Sequence, residues 1–466
     1  MREASVLASG RFAVESDAPS FSDGPLDKAG TLLTAAAALG FIAAFFVGFS
    51  AALGLVAIAG LCALVMLPRS AGVGLLGMGL LCTIEVPMRV LLFDSPILRY
   101  NTFNYILAAL ALFMAPDLLR MRDGQSRYLA AFVVTIALQL LPSTNRYLGL
   151  VTVLEVSTAF ALLGCFMRAI RNERALEWFA IVNATASAAC MLAYFLASGA
   201  GEALNGNGIG QVPIAGLGSI ALAAAVPGVV RRWGTLGLLA AVNLVLVFPT
   251  SSRGSMTVAA ILAVYVLWRS PHAWVRLYAV GLVIALAVWS SGELGDQFGS
   301  ASDKWYRLIN PDLDVSQATN RRSDLAEFGW SMFVAHPLGT GTGSFTDYSV
   351  GLLDIRENSA AHSGWIKVLA ENGIPGTVLL AIYIFSFMRR PPEGAFEGAR
   401  ALGVLVFVVL SVALIFTEFQ SRSLWLLSTG ASALLYHAEA LAGGEFPSFS
   451  HDLPPLRATV TPESHL

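Results

Sequence analysis

The feature that most constrains this 466-residue chain is a series of long apolar runs, separated for the most part by short polar links. A membrane-crossing helix needs about 20 mostly apolar residues. Runs of that kind fall near 30–48, 50–67, 71–92, 102–115, 128–142, 147–169 and 177–197, then 212–230, 233–249, 255–269, 274–290, 364–388, 400–417 and 422–441. Backbone polar groups in lipid must be satisfied within each segment. The expected fold is therefore all-α, a polytopic bundle of about 12–14 transmembrane helices; 102–115 and 128–142 are the weakest runs and allow a re-entrant reading. Charged residues make up only 13% of the chain, about half the share in an average soluble protein, which excludes a soluble enzyme. A net charge of −2 argues against a nucleic-acid partner, which would require a basic face. All four cysteines stand in apolar runs, so neither disulfides nor a cysteine metal site is expected.

The expected organisation is a polar cytoplasmic tail over 1–28, an N-terminal transmembrane bundle of about 11 spans over 29–290, and a large outer loop over 291–361. About three further spans occupy 362–441, and a second cytoplasmic tail covers 442–466. Residues 1–28 have no apolar core, so they read as a tail and not as a signal peptide. Lys and Arg favour the cytoplasmic side. With the N-terminus inside, 18 of the 29 basic residues fall there, including Arg231–Arg232, Arg389–Arg390 and the stretch from Arg168 to Arg174. The 71-residue stretch 291–361 then lies outside, and an excursion of that length usually serves function.

Ionisable groups inside spans are costly and often mark a substrate path. Here they are Glu85, Arg89, Glu155, Lys367, Glu371, Glu418 and Arg422, with Arg253 at a span end. Most cluster toward the outer ends of their helices, and Glu371 lies deeper. Glu85 and Arg89, four residues apart, suit a packing ion pair as well as a polar cavity. Arg253 follows Pro249-Thr-Ser-Ser252 and precedes Gly254 and Ser255; hydroxyls and a glycine suit close approach of an anion, while a simple snorkelling arginine is the alternative.

In the large loop, Leu325, Phe328, Met332 and Phe333 recur at helical spacing, which predicts an amphipathic helix capped by Thr319 or Asn320. Arg321 and Arg322 in its first turn oppose the helix dipole unless they share an anion with the terminal amides. The following Gly339-Thr-Gly341-Thr-Gly343 lacks the Lys-Ser/Thr of a phosphate loop and reads as a set of turns. His362 opens the next span, where imidazole can take a proton from a hydroxyl; a capping or packing role is the alternative.

Three motifs now resemble the O-antigen ligase and polymerase superfamily of bacterial envelope glycosyltransferases. They are Ser252-Arg253-Gly254 at a helix end, Arg321 with Leu325 four residues on, and His362-Ser363 followed by Gly373, Gly376 and Thr377. Pro337-Leu-Gly339-Thr-Gly341 is similar to a further family pattern. The resemblance covers roughly 212–441; members usually have about twelve spans. It implies an enzyme of the bacterial inner membrane, both termini cytoplasmic and the site facing the periplasm. The donor would be an undecaprenyl-pyrophosphate-linked glycan, moved en bloc to an acceptor hydroxyl on lipid A core or a similar carrier. A polymerase, whose acceptor is a second lipid-linked glycan, is the alternative, and a flippase or solute transporter a more distant one. The roles implied are His362 as general base and Arg253 and Arg321 as clamps on the leaving pyrophosphate. Arg322, Arg422, Ser252 and Ser363 would bind substrate. No metal and no cofactor is expected, and the sequence leaves the oligomeric state open.

Overall fold

The computed structural model describes residues 24–47, 49–91, 124–170, 173–197, 209–247, 250, 252–272, 322–352, 363–392, 395–396, 398–416 and 421–442. Among them are fourteen helices and no strand, so the chain is an all-α polytopic membrane protein. In chain order the helices are α1 (Gly24–Val47), α2 (Phe49–Val65), α3 (Ala71–Leu91), α4 (Gly124–Leu138), α5 (Arg146–Ala169), α6 (Glu173–Ala197) and α7 (Gln211–Ala225). There follow α8 (Trp233–Val247), α9 (Arg253–Arg269), α10 (Arg322–Ala335), α11 (Ser344–Leu352), α12 (Gly364–Ser386), α13 (Ala399–Phe416) and α14 (Arg422–Ala442). Twelve of the fourteen apolar runs fall on a helix; 102–115 and 274–290 lie outside the described residues. Four helices, Arg146–Ala169, Arg174–Tyr194 within α6, Gly364–Ser386 and Ala399–Phe416, are long and apolar enough to cross a membrane.

The centre is α7, all of whose residues are buried. Its Ala, Gly and Ser content lets neighbouring backbones approach closely, as small residues do between membrane helices. A side chain at Gly216 would collide with Asn243 of α8 and Ser187 of α6. Polar groups stitch this packing together: Ser187 Oγ donates to Val212 O at 2.8 Å, and Asn243 Nδ2 to Ala184 O at 3.0 Å.

Arginines gather at one end of the bundle. Arg174 meets Asp27 at 3.4 Å, and Arg232 stacks on Trp178 at 4.3 Å from the ring centre. Glu177 Oε1 accepts the backbone N–H groups of Arg231 and Arg232, each at 2.8 Å. Arg269 donates to Ala224 O and Ala225 O, and Arg389 to the Tyr128 hydroxyl. This end therefore holds the starts of α1, α4, α6 and α8 and the ends of α7, α9 and α12. The opposite end holds the candidate site.

Candidate functional site

Two constructions make up the site end. The first is a lock around a broken helix. Gly373 interrupts α12 at φ 61°, ψ −156°, a region open almost only to glycine. Two residues on, Pro375 has no N–H, so the Glu371 carbonyl has no helical donor. The N–H of Ile374, which would serve Ala370, turns to Pro337 O at 2.9 Å. The glycine turns of the large loop supply the replacements: Thr340 N–H donates to Ala370 O at 3.1 Å and Gly341 N–H to Glu371 O at 2.9 Å. Buried Glu371 accepts Phe345 N–H at 3.1 Å on Oε1. Gly376 lets Asn372 approach, and Thr377 Oγ1 donates to Gly373 O at 2.8 Å. The Gly-x-x-Gly-Thr part of the motif thus builds the break itself.

The same loop is fastened to the link between α4 and α5. Thr342 N–H donates to Gln139 O at 2.9 Å, Ser143 Oγ to Thr342 O at 2.7 Å, and Gln139 Nε2 to Leu338 O at 2.7 Å. Asn145 caps α5 by accepting Leu148 N–H and donates through Nδ2 to Asp347 at 2.8 Å. Gly339, Gly341 and Gly343 all have positive φ, and Cβ atoms there would strike neighbouring backbone. These backbone donors are committed to protein carbonyls, so the loop is a set of turns and not a phosphate cradle.

The second construction is a meeting of helix starts. Ser252 caps α9, its Oγ accepting Ser255 N–H at 3.4 Å. Gly254 packs so closely on Phe416, the last residue of α13, that no other side chain fits. Ser363, at the start of α12, donates through Oγ to Leu414 O at 3.2 Å, in the same last turn of α13. Across from these, Ser421 and Ser423 both donate to Gln211 Oε1, at 2.8 and 2.6 Å, joining the starts of α14 and α7. Gly210 stands against Ser255 and Thr250, which closes the circuit. Arg422, between the two serines, is buried. Four helix N-termini, those of α7, α9, α12 and α14, therefore face one end with hydroxyls among them, and each carries partial positive charge. Helix α7 is only 15 residues long, about 22 Å against a hydrocarbon core of about 30 Å.

Of the expected site residues, Ser252, Ser363 and Arg422 come together in this circuit. Arg322 stands apart at the start of α10, half-buried, and burial pulls its guanidinium below the ordinary arginine range. Helix α10 runs alongside the first half of α12 in the same direction. Gly329 lies on Ile366, and the turn after the helix lies on residues 370–373; its start is thus on the side of Ser363. Arg321 and His362, and the side chain of Arg253, lie outside the described residues, as do the capping candidates Thr319 and Asn320. So do Glu418 and the side chains of Glu85 and Arg89.

Sequence reasoning missed Gln211, Ser421 and Ser423, whereas Thr250 stands in the hydroxyl-rich stretch before Arg253 that it singled out. The paired serines around an intramembrane arginine were the available signal.

Residues 236–381, from α8 into α12, match the family model for O-antigen ligase. That stretch therefore carries an O-antigen ligase domain. Ser252, Gly254, the glycine turns and the helix break all lie within the matched stretch, whereas Gln211 and Arg422 lie outside it. No curated protein and no solved structure matches the chain. With the apolar helices, this match supports a bacterial inner-membrane protein with an O-antigen ligase/polymerase-type function.

Proposed function

We propose that this protein is a ligase that moves a glycan en bloc from undecaprenyl pyrophosphate to an acceptor hydroxyl, on lipid A core or a similar carrier, at the periplasmic face. The carrying observation is that Gly254 and Ser363, sequence neighbours of Arg253 and His362, both lie against the last turn of α13. In the reaction the acceptor oxygen attacks the anomeric carbon, and its proton passes to His362. The bond from that carbon to the pyrophosphate oxygen breaks, leaving the anomeric configuration inverted. Negative charge grows on the departing pyrophosphate. Arg253 and Arg321 hold it, with Arg322, Arg422, Ser252 and Ser363 as further donors. A fixed guanidinium forks onto phosphate oxygens, and one such contact in a dry site stabilises the transition state by about 3–4 kcal/mol. Arginines and helix N-termini supply positive charge without a metal.

The division into a bundle over 29–290, an outer loop over 291–361 and a closing bundle over 362–441 belongs to the same reading. So does its orientation, with the arginine-rich end and both chain termini cytoplasmic; the clustering of Arg174, Arg231, Arg232, Arg269 and Arg389 at the end opposite the site supports it. A polymerase joining lipid-linked repeats uses the same donor and chemistry. The lipid-linked glycan profile of a deletion strain separates the readings. A ligase predicts loss of envelope attachment with long chains still present. Single repeats accumulating would mean polymerase, and substrate trapped inside would mean transport.

A further inference from the structure

The amphipathic helix expected in the large loop forms over 322–335, but large apolar side chains also stand on its outward side. Leu325, Met332 and Gly329 are buried, with Phe328 packed beside them, against Phe345 and α12. The other face carries Trp330 and Val334, exposed at 54% and 60%, with the Phe333 ring tilted against Trp330 at 5.3 Å. Leu338, directly after the helix, is 72% exposed. Phe333, expected in the inward stripe, is half-buried and meets Trp330 instead. An exposed apolar patch of this kind marks a contact with protein or with membrane.

What covers the outward face follows from its continuation. Ile374 N–H bonds to Pro337 O, so Leu338 abuts Ile374, itself 49% exposed. From there Val378, Ile382 and Phe385 are exposed down α12, one of the four helices apolar enough to cross a membrane. Trp330, Val334 and Leu338 therefore prolong the lipid-facing stripe of a membrane span beyond its break. Polarity along the face is graded. Glu327 is exposed a turn nearer the helix start, then comes Trp330, a residue favoured at membrane interfaces, then Val334 and Leu338. Ser331 turns its hydroxyl back to Phe328 O at 2.7 Å, and His336, exposed just past the helix, is the polar exception on this side of the turn. The irregular backbone that follows is tolerable at membrane depth because its carbonyls at Pro337 and Leu338 are bonded by Ile374 N–H and Gln139 Nε2, and from Thr340 to Phe345 it is buried in protein.

We propose that α10 is not a water-surrounded loop helix but is inserted in the bilayer leaflet at the site end. In that position Val334 and Leu338 lie among acyl chains, Trp330 at the interface, and the helix start at headgroup depth. If the chain is the transferase proposed above, this immersion sets Arg322 at the depth of a lipid-linked pyrophosphate.

The test reads depth, not turnover, so its failure and that of the transferase reading are distinguishable. In a Cys62→Ser background, which removes the exposed native thiol, Glu327→Cys, Val334→Cys and Leu338→Cys are each labelled with a fluorophore. Each is placed as a single copy in a nanodisc of phosphatidylethanolamine and phosphatidylglycerol. Nitroxides on the lipid acyl chains should quench positions 334 and 338 most, and headgroup nitroxides position 327. The depths of 327 and 334 should differ by up to about 10 Å, seven residues of helix rise. Quenching of 334 and 338 by an aqueous quencher alone would overturn the proposal. Shielding of both from every quencher, as a protein cover would give, would overturn it equally.

Discussion

Replacing Gly373 by alanine tests the lock around the broken helix. Gly373 sits at φ 61°, ψ −156°, and an added Cβ would fall inside contact distance of the backbone at Pro337, Leu338 and Gly339. The backbone conformation alone disfavours alanine by about 1–3 kcal/mol. The collision pushes the loop off α12, where it makes three backbone hydrogen bonds through Ile374, Thr340 and Gly341, each worth about 0.5–1.5 kcal/mol net. Strain with partial loss of the lock comes to about 3–6 kcal/mol, which raises the population of the undocked loop about 10²–10⁴-fold. Limited proteolysis of the purified protein in detergent reads that population when opening is fast relative to cleavage. Cuts within 322–352 should accelerate strongly. Gly228 is the internal control. It also has positive φ, but nothing lies within 4 Å of an added Cβ, so Gly228→Ala should cost only about 1–2 kcal/mol. It should leave the loop cuts unchanged. Equal protease resistance in Gly373→Ala and Gly228→Ala would refute the argument that the loop replaces the donors missing from the helix.

Asn145→Ala removes both the cap of α5 and the bond to Asp347, and thermal unfolding should show a loss of about 1–2 kcal/mol. Glu177→Ala strips the acceptor from two N–H groups between α7 and α8 and should destabilise by about 1–3 kcal/mol, whereas Glu177→Gln, which keeps a carbonyl oxygen, should lose less. Reporter fusions at residues 231, 390 and 457 should signal cytoplasm, and those at 300 and 350 periplasm; a cytoplasmic signal at 300 would remove the proposed periplasmic site.

Much of this architecture was legible because apolar length is a direct physical demand of the bilayer, and length survives without tertiary context. The helix over 322–335 was legible from periodicity, yet its second apolar face was not, since Trp330 and Val334 acquire meaning only beside the exposed stripe of α12. The helix break at Gly373 was visible as a motif but not as a cause. Its logic needs Thr340 and Gly341, about thirty residues earlier, to arrive at Ala370 and Glu371. Glu371 looked like an intramembrane functional charge, and the structure uses it to hold Phe345. Gln211 was invisible for the same reason: a single polar residue at a helix start is uninformative until Ser421 and Ser423 reach it from more than 200 residues away.

The most direct test of the transferase reading is glycan transfer by the purified protein in nanodiscs, from an undecaprenyl-pyrophosphate-linked donor to lipid A core. Transfer should survive EDTA. It should be abolished by Arg321→Ala, Arg253→Ala and His362→Ala, and be recovered only in part by Arg321→Lys, because lysine lacks the fork that matches pyrophosphate. Normal transfer by both arginine-to-alanine variants at normal expression would contradict the clamp. EDTA inactivation reversed by one divalent ion would contradict a mechanism in which arginines alone carry the leaving group.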